Sequence, residues 1–191
     1  MNIANNMITR FVFVALFVAL ISASAFITFP IGPVPITLQN LFTLLTGLVL
    51  GPVLGSSAVG LFLVAGIFGM PVFANNGSPM GIVRIFGPTG GYLLGYLLGA
   101  FFAGLIVGTP RPGQKLSVWR LVLAVVVGVF VVYVPGLLRL KSFLNIGWMQ
   151  TLITGFFPFI IADMIKGIVA ASVAPRLRRI AAELIARGTV E

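Results

Sequence analysis

FPFIIADMIKGIVAASVA, residues Phe157 to Ala174, is an almost unbroken apolar run with two opposite charges set inside it, Asp163 and Lys166. Charges within a membrane segment are expensive and face a protein interior or a water-filled cavity. Three residues apart on a helix, the two share one face. Asp163 is the only acid outside the last nine residues. A carboxylate and an ammonium held side by side at that depth suit the polar end of a small-molecule site. The plainer alternative is a structural ion pair that closes a bundle and binds nothing.

Composition sets the frame. The 191 residues are 59% hydrophobic and 8% charged, with mean hydropathy +1.17. A soluble domain of this size has no way to cover so much apolar side chain, so the chain reads as an all-α integral membrane protein. Its length suits a single domain over residues 1–191, with no room for an added soluble unit. Cysteine and histidine are absent. That excludes a disulfide framework, thiolate chemistry and a serine–histidine dyad. Aspartyl chemistry needs two carboxylates in one site, and the membrane region offers one. No glycine-rich turn is followed by Lys and then Ser or Thr, so no phosphate loop for nucleotide hydrolysis is expected. An enzyme is therefore not the expected reading. The net charge of +9 is read as topology, basic loops staying in the cytoplasm, and not as nucleic-acid binding.

Outward from the opening run, the chain divides into six expected spans. The first, Phe11 to Phe29, is read as retained and not as a cleaved signal. It carries Ala15, Ala19 and Ala23 as one small-residue stripe, a face for helix docking within the bundle or against another subunit. Pro30 to Gln39 holds three alternating prolines and excludes regular helix. Its polar Thr37 and Gln39 suit a cap over a site. Asn40–Leu50 and Ser57–Met70 are the second and third spans, broken at Gly51–Pro52. Pro71 to Tyr92 is the most polar stretch before the C-terminus and supplies Asn75, Asn76, Arg84, Gly90, Gly91 and Tyr92 as candidate ligand contacts. Asparagine offers donor and acceptor, and arginine a planar donor fork for a carboxylate. Gly90–Gly91 would allow a close backbone approach. Gly91–Gly108, with Gly95, Gly99 and Ala103 on one face, is the fourth span, and Leu121–Val134 the fifth. Pro135–Gly155 is expected to be partly an interfacial helix. The sixth span is the opening run, followed by a basic amphipathic tail, 176–191, on the cytoplasmic membrane surface. Arg10, Arg111, Lys115, Arg120 and the arginines of the tail lie on one side, which predicts both termini inside. The proline loop, the Asn75–Arg84 region and the Asp163–Lys166 pair then share the outer side.

Three motifs in this order, PVPITLQN (Pro33–Asn40), GPTGGYLLGY (Gly87–Tyr96) and the Asp163–Lys166 pair on the last helix, resemble the biotin-specific S component of energy-coupling factor transporters, the BioY family. The resemblance runs from about Phe11 to Pro175. It implies a six-helix subunit that captures biotin from outside, with a transmembrane coupling subunit and two ATP-binding subunits supplying the energy and no cofactor of its own. It implies that Pro33–Gln39 is a lid, that Asp163 and Lys166 contact biotin, that Asn75 or Asn76 joins them, and that Ala15 and Ala19 face the coupling subunit. Ala162 departs from the glycine that often precedes the aspartate, and Arg84 precedes the GPTGGY motif. The chemistry agrees with this: Asp163 can accept from ureido N–H groups, Lys166 or an asparagine amide can donate to the ureido carbonyl, and Arg84 or amides near Gly90 can hold the carboxylate. A self-contained secondary transporter, coupling vitamin uptake to an ion or proton through Asp163, is the alternative. It would be larger as a rule and show an inverted repeat. A purely structural subunit would leave the polar outer cluster without a purpose.

Overall fold

The computed structural model describes residues 3–29, 33–74 and 81–187. Asn75 and Asn76 lie outside the described residues. The chain is mostly helical: α1 (Ile3–Ala23), α2 (Gln39–Ile67), α3 (Ile82–Phe86), α4 (Gly90–Val107), α5 (Val118–Leu144), α6 (Trp148–Gly155) and α7 (Phe157–Arg187). Two short strands, β1 (Thr28–Phe29) and β2 (Ile36–Thr37), pair antiparallel in the proline loop, with Thr28 opposite Thr37. Five of the helices, α1, α2, α4, α5 and α7, are long and apolar enough to cross a membrane. Their outward faces carry Phe11, Val53, Ile161, Ile165 and Ile168, all exposed, as expected where the surrounding solvent is lipid.

The second and third expected spans form one continuous element, α2, interrupted at Gly51. There φ is 79° and ψ −172°, a conformation essentially restricted to glycine. Pro52 follows, suited to a first helical position because it has no N–H to leave unpaired. The two halves lie side by side: a Cβ added to Gly55 would sit 3.0 Å from the Gly47 Cα, whereas eight residues of straight helix separate two points by about 12 Å. Gln39, at the start of α2, also donates to the Val72 carbonyl beyond its end at 2.7 Å. The element is thus doubled back on itself at Gly51.

Helix α4 meets α5 along glycine. A Cβ on Gly91 would strike the Pro135 carbonyl oxygen, one on Gly95 would lie 2.5 Å from the Val132 oxygen, and one on Gly99 2.7 Å from the Gly128 oxygen. Backbone-to-backbone approach of this kind is how membrane helices gain dispersion contact without a hydrophobic driving force. Helix α5 continues through Pro135 to Leu144, ten residues past its expected end at Val134, so only Trp148–Gly155 is the short separate helix expected after it. Ala15, Ala19 and Ala23 on α1 are exposed. They do not serve packing inside this chain.

The tail departs most from expectation. It does not separate as a surface helix after Ala174: α7 runs on through Pro175 to Arg187, and Arg178, Ala181 and Ala182 are buried. The reason is Arg178. Its guanidinium donates to the carbonyls of Leu48 (3.0 Å), Val107 (3.0 Å) and Gly108 (2.8 Å), and to Gln114 Oε1 (3.3 Å). Those carbonyls belong to the end of the first half of α2 and the end of α4, where unpaired C=O groups concentrate negative partial charge.

Candidate functional site

Towards the other end of α7, one helical turn presents Asp163 and Lys166 inward. Each is 9% exposed, and Lys166 Nζ donates to Asp163 Oδ1 at 2.8 Å. The second carboxylate oxygen, Oδ2, accepts from the Tyr133 hydroxyl on α5 at 2.6 Å. Taking two charges out of water costs several kcal/mol per ion, roughly, and is repaid only by good geometry and further hydrogen bonds. The tyrosine supplies one of those bonds.

The pair opens into a cavity walled by α4, α5 and α7 and roofed by Val34, Pro35, Ile36 and Thr37 of the proline loop, with Phe73, Ala74, Arg84 and Thr89 at its side. All three tyrosines of the chain, Tyr92, Tyr96 and Tyr133, line it. Tyr96 and Thr37 border the same cavity and lie within polar contact of each other, which brings β2 against α4. Tyr92 is committed elsewhere: its hydroxyl donates to the Gly155 carbonyl at 2.8 Å, and its ring stands edge-on to Tyr133 at 6.1 Å. The cavity is partly open and small, about 50 Å³, less than a vitamin-sized ligand fills, so its walls must give to admit one.

The other expected site residues divide. Arg84 is on the cavity wall, 7% exposed, and its Nη2 donates to the Ala74 carbonyl. Burial lowers its pKa from the usual guanidinium value, which still leaves the group charged. Among the described residues no carboxylate pairs with it. Gln39 also borders the cavity, but its amide is spent on backbone: Nε2 donates to Val72 and Ile21 carbonyls, and Oε1 accepts from the Ala74 N–H. It positions the segment that carries Phe73 and Ala74. Gly90 and Gly91 are not among the cavity-lining residues. A Cβ on Gly90 would collide with the Ile85 carbonyl and one on Gly91 with that of Pro135, so both are glycine for the sake of packing. Tyr133, Tyr96, Asn40 and Thr89 also line the cavity, though the sequence alone does not mark them as ligand contacts. The signal for the tyrosines is scarcity: against 17 phenylalanines there are three, and a hydroxyl kept inside a membrane bundle needs a partner there.

With this arrangement established, comparison with known proteins is informative. The family model described as the BioY family matches residues 1–183. The chain is 42% identical to a probable biotin transporter BioY of Pyrococcus horikoshii, over 86% of this chain and 93% of that protein. It is 39% identical to the biotin transporter BioY of Thermotoga maritima, over 88% and 95%. In three dimensions it resembles the crystal structure of the S-component for biotin from an ECF-type ABC transporter, with TM-score 0.79 and 30% identity over 92% of this chain and 94% of that one. The likeness to these transport proteins runs along nearly the whole chain, and the chain belongs to the BioY family.

Proposed function

We propose that this chain captures biotin as the substrate-binding S component of an energy-coupling factor transporter, embedded in the cell membrane. The observation that carries the reading is the Tyr133–Asp163–Lys166 cluster facing a cavity roofed by the proline loop. Biotin presents a ureido ring with two N–H donors and one carbonyl, an apolar ring body and a carboxylate. Asp163 accepts from ureido N–H, Lys166 donates to the ureido carbonyl, and Arg84 takes the carboxylate. Asn75 or Asn76, by the family resemblance, adds a further polar contact to the ligand. Phe73, Phe159 and Leu93, which line the cavity, receive the ring body and chain. Pro33–Gln39 is the lid.

Counting the two halves of α2 separately gives six crossings and puts both ends of the chain on one side. The charge bias of Arg10, Arg111, Lys115, Arg120 and the last turns of α7 supports that side being the cytoplasm. The cavity then opens outward, and Arg178 sits at the cytoplasmic end. The exposed Ala15, Ala19 and Ala23 are the contact for the transmembrane coupling subunit, and two ATP-binding subunits drive release. Replacing Ala15 and Ala19 together by leucine should abolish co-purification with a coupling subunit while biotin affinity stays within about twofold. Loss of biotin binding in that protein would argue that α1 belongs to the site.

Calorimetry on the purified single chain, with lipoate and thiamine as controls, tests the main reading. One biotin per chain and neither control bound is the expected result. Absence of biotin binding by a folded, monodisperse sample would overturn it. Uptake into vesicles by this chain alone, driven by an ion gradient, would instead favour a self-contained secondary transporter that uses Asp163 for coupling.

A further inference from the structure

The hydroxyl of Tyr133 is the least expected part of the cluster. Phenylalanine at this position would satisfy the same edge-on contacts, to Tyr92 at 6.1 Å and to Phe156 at 4.8 Å. Those two contacts hold the ring so that its oxygen lies 2.6 Å from Asp163 Oδ2. Lys166 holds the other oxygen at 2.8 Å. A carboxylate gripped at both oxygens, from two different helices, has no freedom to rotate. Its remaining lone pairs therefore point in fixed directions. The grip from α7 alone would leave the carboxylate free to swing about Lys166, because an ammonium is a point charge without directional demand.

We propose that Tyr133 is a positioning residue for ligand recognition: by fixing Asp163 Oδ2 it aims the carboxylate at adjacent N–H donors of a ureido ring and so sets selectivity for ligands that carry both. This rests on the biotin reading above. The tyrosine itself need not touch the ligand. What it contributes is orientation, and orientation shows up in selectivity more than in stability.

The test pairs a protein change with a ligand change. Tyr133→Phe keeps the ring and its edge-on contacts, so the protein is expected to fold. Its affinity, and that of the parent protein, would be measured by calorimetry for biotin and for biotin methylated on one ureido nitrogen. In the parent, methylation should weaken binding by about tenfold, the loss of one hydrogen bond to a charged acceptor. In Tyr133→Phe, biotin binding should fall by about tenfold, while methylation should cost less than about threefold, because the aimed acceptor is already lost. Tyr92→Phe serves as the contrast. It removes a hydroxyl bonded to Gly155 in the same aromatic group, and should weaken both ligands alike while lowering thermal stability. If Tyr133→Phe weakens both ligands by the same factor, or neither, the residue only packs and the inference is wrong. If the parent protein binds no biotin, it is the transport reading that has failed, not the role of Tyr133.

Discussion

Helix α7 carries two buried polar clusters about four turns apart, and they are built on opposite principles. At Arg178 the cation is surrounded by oxygens of the chain itself, three carbonyls and one amide, 2.8 to 3.3 Å away. It does not line the cavity that Asp163 and Lys166 face. At Lys166 the cation meets one carboxylate oxygen, and both partners line a cavity. The first cluster ties together the ends of α4 and the first half of α2, which helix dipoles leave negative. The second leaves an ammonium with donors to spare and a carboxylate with lone pairs to spare. One buried cation is spent on the fold, with only its Nε left without a partner among the described residues, and the other is held available.

The largest effect that would separate the two is on ligand affinity. Asp163→Asn keeps the shape of the side chain but removes its charge and one acceptor, leaving Lys166 without its counter-ion. Biotin affinity should fall by about 100- to 1,000-fold, equivalent to roughly 3–4 kcal/mol, as read by calorimetry on protein that remains monodisperse. Near parental affinity would make the Asp163 cluster structural, as Arg178 is, and the contrast would collapse.

The reciprocal change is Arg178→Met, which keeps much of the stem volume and removes the guanidinium. With four hydrogen-bond contacts gone and two helix ends left uncompensated, about 3 kcal/mol of stability should be lost. For a chain of this size that lowers Tm by about 6–12 °C, measurable by fluorescence during a thermal ramp. Biotin affinity at 10 °C should stay within about twofold of the parent. A fall in affinity comparable to that of Asp163→Asn would mean that the two ends of α7 are energetically coupled, and that Arg178 does more than hold the fold together.

How much of this was legible beforehand follows the same division. Asp163 and Lys166 announced themselves because charges are rare in an apolar run and their spacing fixes a shared face. Arg178 did not, because it lies among Arg176 and Arg179 in a stretch that reads as a solvated basic face. Which arginine of such a group turns inward depends on helix ends distant in sequence, Leu48 and Gly108. The glycines tell a similar story. Gly51 before Pro52 correctly marked a break, and Gly95 and Gly99 correctly marked a docking face, since both follow from local geometry. Gly90 and Gly91 read locally as a close approach to a ligand, yet the backbone they admit is that of Ile85 and Pro135. Periodicity shows that a backbone comes close but not whose. The same limit separates the exposed alanines of α1 from the buried glycines of α4: both are four-residue stripes, and only the fold distinguishes them.

The smallest expected effect concerns the roof that separates an available cluster from a sealed one. Thr37 is 7% exposed; it sits on β2 opposite Thr28 and within polar contact of Tyr96 of α4. Since the cavity leaves little space, ligand exit through the roof parts β2 from α4, and this contact breaks each time. Thr37→Val preserves the branched shape and the strand pairing, which is made by backbone groups, but removes the hydroxyl. A neutral polar contact contributes at most about 1 kcal/mol, so biotin dissociation should quicken by up to about fivefold with little change in the association rate. Washout of radiolabelled biotin from the purified protein measures this directly. An unchanged dissociation rate would mean that the roof opens elsewhere, by movement of the segment around Phe73 that Gln39 anchors, and Gln39→Leu would then be the variant to show the faster exit.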